Sequence, residues 1–252
     1  MRNYIILLLL LGMPWISGCS KNSSGSGDLS SNSNTTGQAG SLARYTIVGK
    51  YLYTVDANSL KVFDLDGTNG PQLISTQNIG FAIETIFPFK NNLFIGSNSA
   101  MYIYALTNPA QPQLLSQSNH FNGCDPVVAN DSLAFLTIHG GNACRSTINE
   151  LQVYDIRNLQ QPIWLKSFAM THPLGLALHE QYLYVCDQEK GLYVLDVSVP
   201  DNPIVKNIVT GEVFLDVIAD QTSQTLIAML QDGIALYDMA NPILLSKLSV
   251  VK

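Results

Sequence analysis

The chain has 252 residues, a formal net charge of −6 at pH 7 and a hydrophobic content of 46%. Its 13 lysines and arginines form no basic stripe, so the composition disfavours nucleic acid and anionic membrane surfaces as partners. The length is sufficient for a sizeable hydrophobic core within one domain.

The first predicted element is a signal peptide over residues 1–18. Arg2 precedes an apolar run at Tyr4–Leu11, which is too short to span a membrane, because a spanning helix needs about 20 apolar residues. The segment ends in Ile16-Ser17-Gly18-Cys19, which resembles a bacterial lipobox. This resemblance implies that Cys19 is acylated, becomes the mature N-terminus and holds the protein on a membrane through its acyl chains. An ordinary signal peptide that contains a cysteine is the alternative.

Residues 19–40 form the second predicted element, a flexible tether. Only Leu29 and Ala39 are apolar after Cys19, and such a Ser/Asn/Gly tract buries too little surface to offset its ordering entropy. The Ser20-Lys21-Asn22 that follows Cys19 lacks an adjacent aspartate, which resembles outer-membrane lipoproteins of Gram-negative bacteria. We therefore expect a lipid-anchored protein of the cell envelope, in the outer membrane on its periplasmic side or at the cell surface.

Residues 41–252 contain a repeat with a period near 41 residues. Each copy has two apolar runs separated by a short polar turn, as in Tyr182–Val197. The second runs align when five positions are placed in register: Asp64, Ala105, Asp155, Asp196 and Asp238. A period of this length is typical of stacked supersecondary units. The predicted copies span approximately residues 42–80, 81–120, 121–170, 171–211 and 212–252.

The composition of each copy predicts four β-strands. Four short runs rich in Val, Ile, Leu and Tyr are bounded by Asp, Asn, Pro and Gly. The two middle runs are nearly continuous in apolar residues, which favours strands covered on both faces. The sequence therefore predicts an all-β fold, a five-bladed β-propeller of four-stranded antiparallel blades that closes by packing of blade against blade. A β-sandwich is the alternative, but it gives no reason for the repeat.

The fourth copy reads PLGLALHEQYLYVCDQEKGLYVLDVSVPDNPIVKNIV, from Pro173 to Val209. It resembles the LVIVD repeat of bacterial and archaeal surface proteins in its YLYV run, its LYVLDV run and its closing D-x-S-x-P-x-N-P. The resemblance extends over Leu42–Val250 and is weakest in the second copy, where Ala105 replaces the usual aspartate. It implies a propeller and no general biochemical activity. Many relatives carry more copies, which leaves open a larger ring completed by a partner chain.

The third copy carries an insertion, HGGNACRSTINE, at His139–Glu150. Cys144 lies within it, and Cys124 lies at the entry to the first strand of the same copy. In a four-stranded meander these two segments meet at the same end of the blade, and disulfides persist in exported proteins. We predict a disulfide between Cys124 and Cys144, with two unrelated thiols as the alternative, and interpret Cys186 as a buried free thiol. The inserted loop contributes three candidate binding residues: His139, Asn142 and Arg145.

Residues near the start of each first strand are expected to surround the mouth of the central channel. They supply the other candidate binding residues: Arg44, Glu84, Thr85, Asp125 and Asp216. The three carboxylates could serve as the paired acids of a glycoside hydrolase or as oxygen ligands for Ca²⁺. Alternatively, they accept hydrogen bonds from inner-strand backbone amides, as aspartates commonly do in turns.

No C-x-x-C pair, glycine-rich phosphate loop or H-E-x-x-H is present in the sequence, so we assign no metal ligand, cofactor or catalytic residue. The favoured hypothesis is a non-catalytic, lipid-anchored propeller that binds or scaffolds a protein or a glycan. The alternative is an exported hydrolase with its acids at the channel mouth.

Overall fold

The computed structural model describes residues 36–37, 40–120, 126–141 and 147–252. Within these ranges the chain folds into strands β1 to β21. The same ranges contain no helix of the length and hydropathy needed to cross a membrane.

Five sheets form the blades of the propeller. The first contains β2 to β5, at Tyr45–Val48, Tyr51–Val55, Ser59–Asp64 and Gln72–Asn78. The second contains β6 to β9, at Ile83–Phe89, Asn92–Ser97, Ala100–Ala105 and Gln113–Asn119. The third contains β10 to β13, at Val127–Ala129, Leu133–Ile138, Glu150–Asp155 and Ile163–Ala169. The fourth contains β14 to β17, at Pro173–His179, Tyr182–Asp187, Gly191–Asp196 and Ile204–Val209. The fifth contains β18 to β21, at Phe214–Asp220, Thr225–Leu230, Gly233–Asp238 and Ser246–Val251.

Consecutive strands are antiparallel neighbours in every sheet, and each blade is built from one continuous segment. This arrangement confirms the predicted five-bladed propeller. One strand was not expected: β1, at Thr36–Gly37, pairs with β2 as an additional strand of the first sheet. We call the end of the ring at which each first strand begins the entry end, and the opposite end the exit end.

All five blades share an irregularity in their outer half. The register between the third and fourth strands shifts at the same place in each, for example between Val194 and Leu195 in the fourth blade. A bulge of this kind bends the strand and increases its twist. The outermost strand of every blade therefore departs from the plane of its sheet at the same point.

Four clusters of buried apolar side chains join consecutive blades, and we call these contacts the seams. Each seam contains an aromatic residue from the same position of a second strand. All four aromatics are fully buried: Tyr53, Phe94, Phe135 and Tyr184. The two tyrosines also reach the next blade, because Tyr53 Oη donates to Pro109 O at 2.9 Å and Tyr184 Oη donates to Pro242 O at 3.0 Å.

The junction between the fifth and first blades differs from the seams. None of the four clusters formed by the described residues joins these two blades. On the outward face of the fifth blade, Met229 and Ile234 are 43% and 50% exposed, and Tyr45 of the first blade is 59% exposed. The sequence predicts closure by blade packing. Apolar packing does not seal this junction, because the fifth blade has Ile227 in place of the seam aromatic and the first blade has Lys61 on its outer face.

Candidate functional site

A cavity of about 560 Å³ occupies the centre of the ring and opens at its exit end. The cavity is lined by the first strands of the second to fifth blades. Their lining residues lie in the C-terminal half of each of these strands and in the turn that follows it. Its walls are mainly apolar and include Phe87, Val128, Leu176 and Val217. Ser41, which is buried, also lines the cavity, and we call it the floor.

The floor is held by a polar contact that we call the clasp, formed by Ser41, Leu42 and Asp216. Ser41 Oγ donates to Asp216 Oδ1 at 3.0 Å and accepts a hydrogen bond from the backbone N–H of Leu176 at 2.7 Å. Asp216 Oδ2 accepts from the backbone N–H of Leu42 at 3.3 Å. Asp216 Oδ1 also accepts from the backbone N–H of Val217 at 2.9 Å. The clasp therefore joins the segment before the first blade to the fourth and fifth blades.

Local irregularities position the carboxylate of Asp216. In β18 the register shifts between Phe214 and Asp216, and in β14 it shifts between Pro173 and Leu176. Gly175 lies within the second irregularity, and a Cβ atom there would stand 2.0 Å from Asp216 Oδ1 and 2.7 Å from the Asp216 Cα. Glycine is needed at this position because the carboxylate occupies the space of a side chain.

Burial controls the titration of Asp216. Loss of solvent raises the pKa of the Asp216 carboxyl to about 6, and the hydrogen bonds from Leu42, Ser41 and Val217 oppose that rise. Both carboxylate oxygens are occupied by these donors. The contact pattern is that of a structural carboxylate that orders backbone amides.

The rim of the cavity, at the exit end, is charged. Lys90 and Glu180 occupy matching turns after β6 and β14, and both adopt the left-handed backbone conformation, with φ of 50° and 52°. Lys90 Nζ forms an exposed ion pair with Asp131, which follows β10. The cavity thus combines apolar walls with a rim that presents charges of both signs.

The structure places the predicted channel-mouth residues near the entry end, away from this rim. Arg44 is exposed, Glu84 is half-buried and Thr85 is buried near the start of β6. Asp216 is the member of the group that the structure places in the clasp. Asp125 lies outside the described residues, so three converging carboxylates are not established as a set.

The predicted loop site is described only at its first residue. His139 is half-buried, and its ring centroid lies 5.7 Å from that of His172. Several predicted positions lie outside the described residues: Cys19, Cys124, Asn142, Cys144 and Arg145. The disulfide and the acylation therefore stay predictions.

Cys186 is a buried free cysteine, as the sequence predicts. Burial raises the pKa of its thiol, and the nearby carboxylates of Asp216 and Asp187 add to the effect. Among the described residues, no group of three or more His, Cys, Asp or Glu side chains is arranged to hold a metal ion.

Sequence reasoning missed both ends of the cavity. Ser41 stands at the border of the low-complexity tract, where its partner cannot be inferred because Asp216 is 175 residues away. The rim residues follow first strands, and the turn positions of Lys90 and Glu180 match in the repeat. The matching turn positions in the repeat are therefore the sequence feature from which the exit end could have been predicted.

Comparison with known proteins identifies the repeat. Residues 174–211 match the family model of the LVIVD repeat. The chain carries an LVIVD repeat. The matched segment covers nearly all of the fourth blade, in agreement with the resemblance predicted for that copy, and no curated protein matches the chain.

Solved propeller structures resemble the LVIVD-repeat chain in fold. A functionally unknown protein from Desulfotomaculum acetoxidans superposes with a TM-score of 0.66 at 10% identity, covering 85% of this chain and 68% of that one. A protein from Lactobacillus plantarum gives 0.64 at 16% identity, with coverages of 81% and 73%. The periplasmic gluconolactonase of Pseudomonas aeruginosa gives 0.60 at 11% identity, with coverages of 82% and 67%. Identities this low establish a shared fold and no shared activity.

Proposed function

We propose that this LVIVD-repeat propeller is a non-catalytic binding module of the cell envelope that engages a protein partner at the exit end of its ring. The observation that carries the proposal is the central cavity of about 560 Å³, which has a floor at Ser41 and an opening at the charged rim. Concave sites with apolar walls and a few convergent polar groups are typical of binding pockets.

The chemistry of the cavity favours a protein over a small charged ligand. The half-buried side chains of Phe87, Phe89, Leu178 and Ile218 line an apolar interior, and the rim carries Lys90 and Glu180. A protein segment can place an apolar side chain in the cavity while its flanking polar groups meet the mixed charges of the rim. This arrangement of a buried anchor surrounded by a polar rim is common in protein interfaces.

A hydrolase is less well supported by the described residues. Paired acids must be free to approach a substrate, whereas both oxygens of Asp216 accept hydrogen bonds from Ser41, Leu42 and Val217. The similarity to a gluconolactonase is one of fold.

Attachment to the envelope through acylated Cys19 belongs to the same proposal. Its support is the sequence Ile16-Ser17-Gly18-Cys19. Intact-mass measurement of the protein isolated from membranes tests this attachment. The expected mass is that of an acylated chain that begins at Cys19. A mass without acyl chains would remove the anchor.

The binding proposal is tested by a photo-crosslinking residue introduced at Glu180 in the full-length protein in its native cells. We expect one discrete adduct, which disappears when the rim charge is reversed by Lys90→Glu. The matched control carries the crosslinker at Asp201, an exposed turn residue of the same blade that does not line the cavity. Absence of an adduct at Glu180, or the same adduct at Asp201, would contradict a partner at the cavity.

A further inference from the structure

A second concave surface lies on the side of the ring between the second and third blades. This groove has a volume of about 700 Å³. It is lined by the end of β9, by β12 and by β13, and it shares no lining residue with the central cavity. We call it the lateral groove.

The wall of the lateral groove is a polar ladder on one face of β12. Glu150, Gln152 and Tyr154 alternate along the strand and therefore share a face. Gln152 is 4% exposed, donates from Nε2 to Glu150 Oε1 at 2.6 Å and accepts from Tyr154 Oη at 2.9 Å. These bonds fix the orientation of the three side chains before any ligand arrives.

The corresponding seam position is filled differently in other blades. Tyr102 of the second blade and Tyr193 of the fourth stand three residues before the aligned position of the third strand, where the third blade has Gln152. Replacing an aromatic side chain by a smaller amide leaves room between the outer parts of two blades. The first and fifth blades have Lys61 and Ala235 at this position, so a smaller residue alone does not create a groove. The combination of Glu150, Gln152 and Tyr154 on one face is particular to the third copy.

An aromatic side chain lies beside this polar wall on the same sheet, because Trp164 is the cross-strand partner of Tyr154. Trp164, on β13, lines the groove and is 54% exposed, so part of its ring is accessible to a ligand. On the opposite side Gln117 and Asn119 of β9 add amide groups, held to each other by a hydrogen bond of 2.8 Å. No lysine or arginine is among the lining residues, and Glu150 is the one carboxylate among them.

We propose that the lateral groove is a binding site for an uncharged saccharide. A pyranose ring has an apolar face of C–H groups that packs on the electron-rich face of an indole. Its hydroxyl groups donate and accept, which matches the amides of Gln117 and Asn119 and the carboxylate of Glu150, which Gln152 orients. An anionic ligand such as a phosphate is disfavoured because Glu150 lines the groove and the lining residues include no lysine or arginine. This site is independent of the proposed protein-binding cavity.

Tryptophan fluorescence tests the proposal directly. The sequence contains two tryptophans, Trp15 and Trp164, so a full-length chain with Trp15→Phe reports on Trp164 alone. Titration with neutral tetrasaccharides (cellotetraose, chitotetraose, maltotetraose and laminaritetraose) should produce a saturable change with at least one of them. A tetrasaccharide of galacturonic acid, which is anionic, should produce none.

Isothermal titration calorimetry, with the tetrasaccharide that changes the Trp164 fluorescence, shows whether the ligand binds in the lateral groove. Trp164→Ala should weaken binding by about tenfold or more, since exposed aromatic anchors dominate such contacts. Gln152→Tyr, which restores the residue of the second and fourth blades, should also abolish binding by filling the groove. Ile163→Ala is the matched control, because Ile163 is 56% exposed on the same strand and does not line the groove.

Two results would overturn the saccharide site. The first is a lack of response to all four neutral tetrasaccharides at millimolar concentration while the thermal unfolding curve shows a folded protein. The second is a Trp164 response to a proline-rich peptide but to none of the saccharides, which would assign the groove to protein segments. Neither result bears on the crosslinking at Glu180, so failure of the two proposals can be distinguished.

Discussion

The seam between the fourth and fifth blades and the junction between the fifth and first blades join similar sheets by different chemistry. At the seam, Tyr184 is fully buried among apolar side chains and also donates a hydrogen bond to Pro242 O. At the junction, the equivalent residue is Ile227, the outward faces are partly exposed, and the identified bonds run through the clasp of Ser41 and Asp216. Burial of apolar side chains therefore stabilises four of the five contacts between blades, whereas oriented hydrogen-bonding groups stabilise the fifth.

The largest expected effect comes from removing a seam aromatic. Tyr184→Ala should lower the free energy of unfolding by about 3–5 kcal/mol, because it leaves a cavity in a close-packed core. Tyr45→Ala, at the exposed junction, should cost less than about 1 kcal/mol, as expected of a surface residue. Urea denaturation measures both. Equal losses would show that the junction is packed as tightly as the seam.

The next effect is a pH dependence that belongs to the clasp. Burial raises the pKa of Asp216 from its ordinary 3.8 to about 6, so the folded state keeps this proton to a higher pH than the unfolded state. Its contribution to stability is therefore full below pH 4 and is lost as the pH rises through about 6. The shift corresponds to roughly 3 kcal/mol.

Denaturation from pH 4.5 to 7.5 checks this sign. The wild type should lose about 2 kcal/mol relative to Asp216→Asn over that range, since the amide cannot titrate. Parallel pH profiles for the two proteins would contradict a raised pKa for Asp216 in the folded state.

A smaller loss is expected when the clasp is crowded. Gly175→Ala places a Cβ atom 2.7 Å from the Asp216 Cα, so backbone must move at a cost of about 1–3 kcal/mol. Gly49→Asn is the control, since Gly49 has a positive φ but no atom near the position of a Cβ, and Asn tolerates that conformation. Thermal unfolding of both variants gives the comparison, and equal stabilities would contradict the close approach of Asp216.

The smallest predicted effect isolates one hydrogen bond of a seam. Tyr184→Phe keeps the ring but leaves Pro242 O without its donor, which should cost about 1 kcal/mol. Urea denaturation midpoints measure it. A loss as large as that of Tyr184→Ala would mean that the hydrogen bond, and not burial of the ring, dominates the seam.

The fold could be predicted from the sequence because the same pattern of apolar runs recurs once in every blade. Apolar runs such as YLYV and LYVLDV recur at a period that matches one blade, and burial on both faces explains their lack of alternation. Details that break the repeat were harder to predict. The clasp joins residues 175 positions apart and depends on two local register shifts, neither of which has a sequence signature here.

The lateral groove had a signal that sequence reasoning did not use. The third strand of the third copy reads ELQVYD, in which Glu150, Gln152 and Tyr154 alternate with apolar residues, whereas the fourth copy reads GLYVLD. Alternation indicates a strand with one polar face. At that position of a propeller it marks polar side chains at the edge of an otherwise apolar seam.

A double-mutant cycle between Ser41 and Asp216 tests most directly that oriented polar groups hold the fifth junction and the floor of the cavity. The free energies of unfolding of the wild type, Ser41→Ala, Asp216→Ala and the double variant give the coupling between the two side chains. A buried hydrogen bond to a carboxylate predicts a coupling of about 1–3 kcal/mol at pH 7.5. Additive effects of the two substitutions would contradict the clasp and leave the junction without an identified bond between these residues.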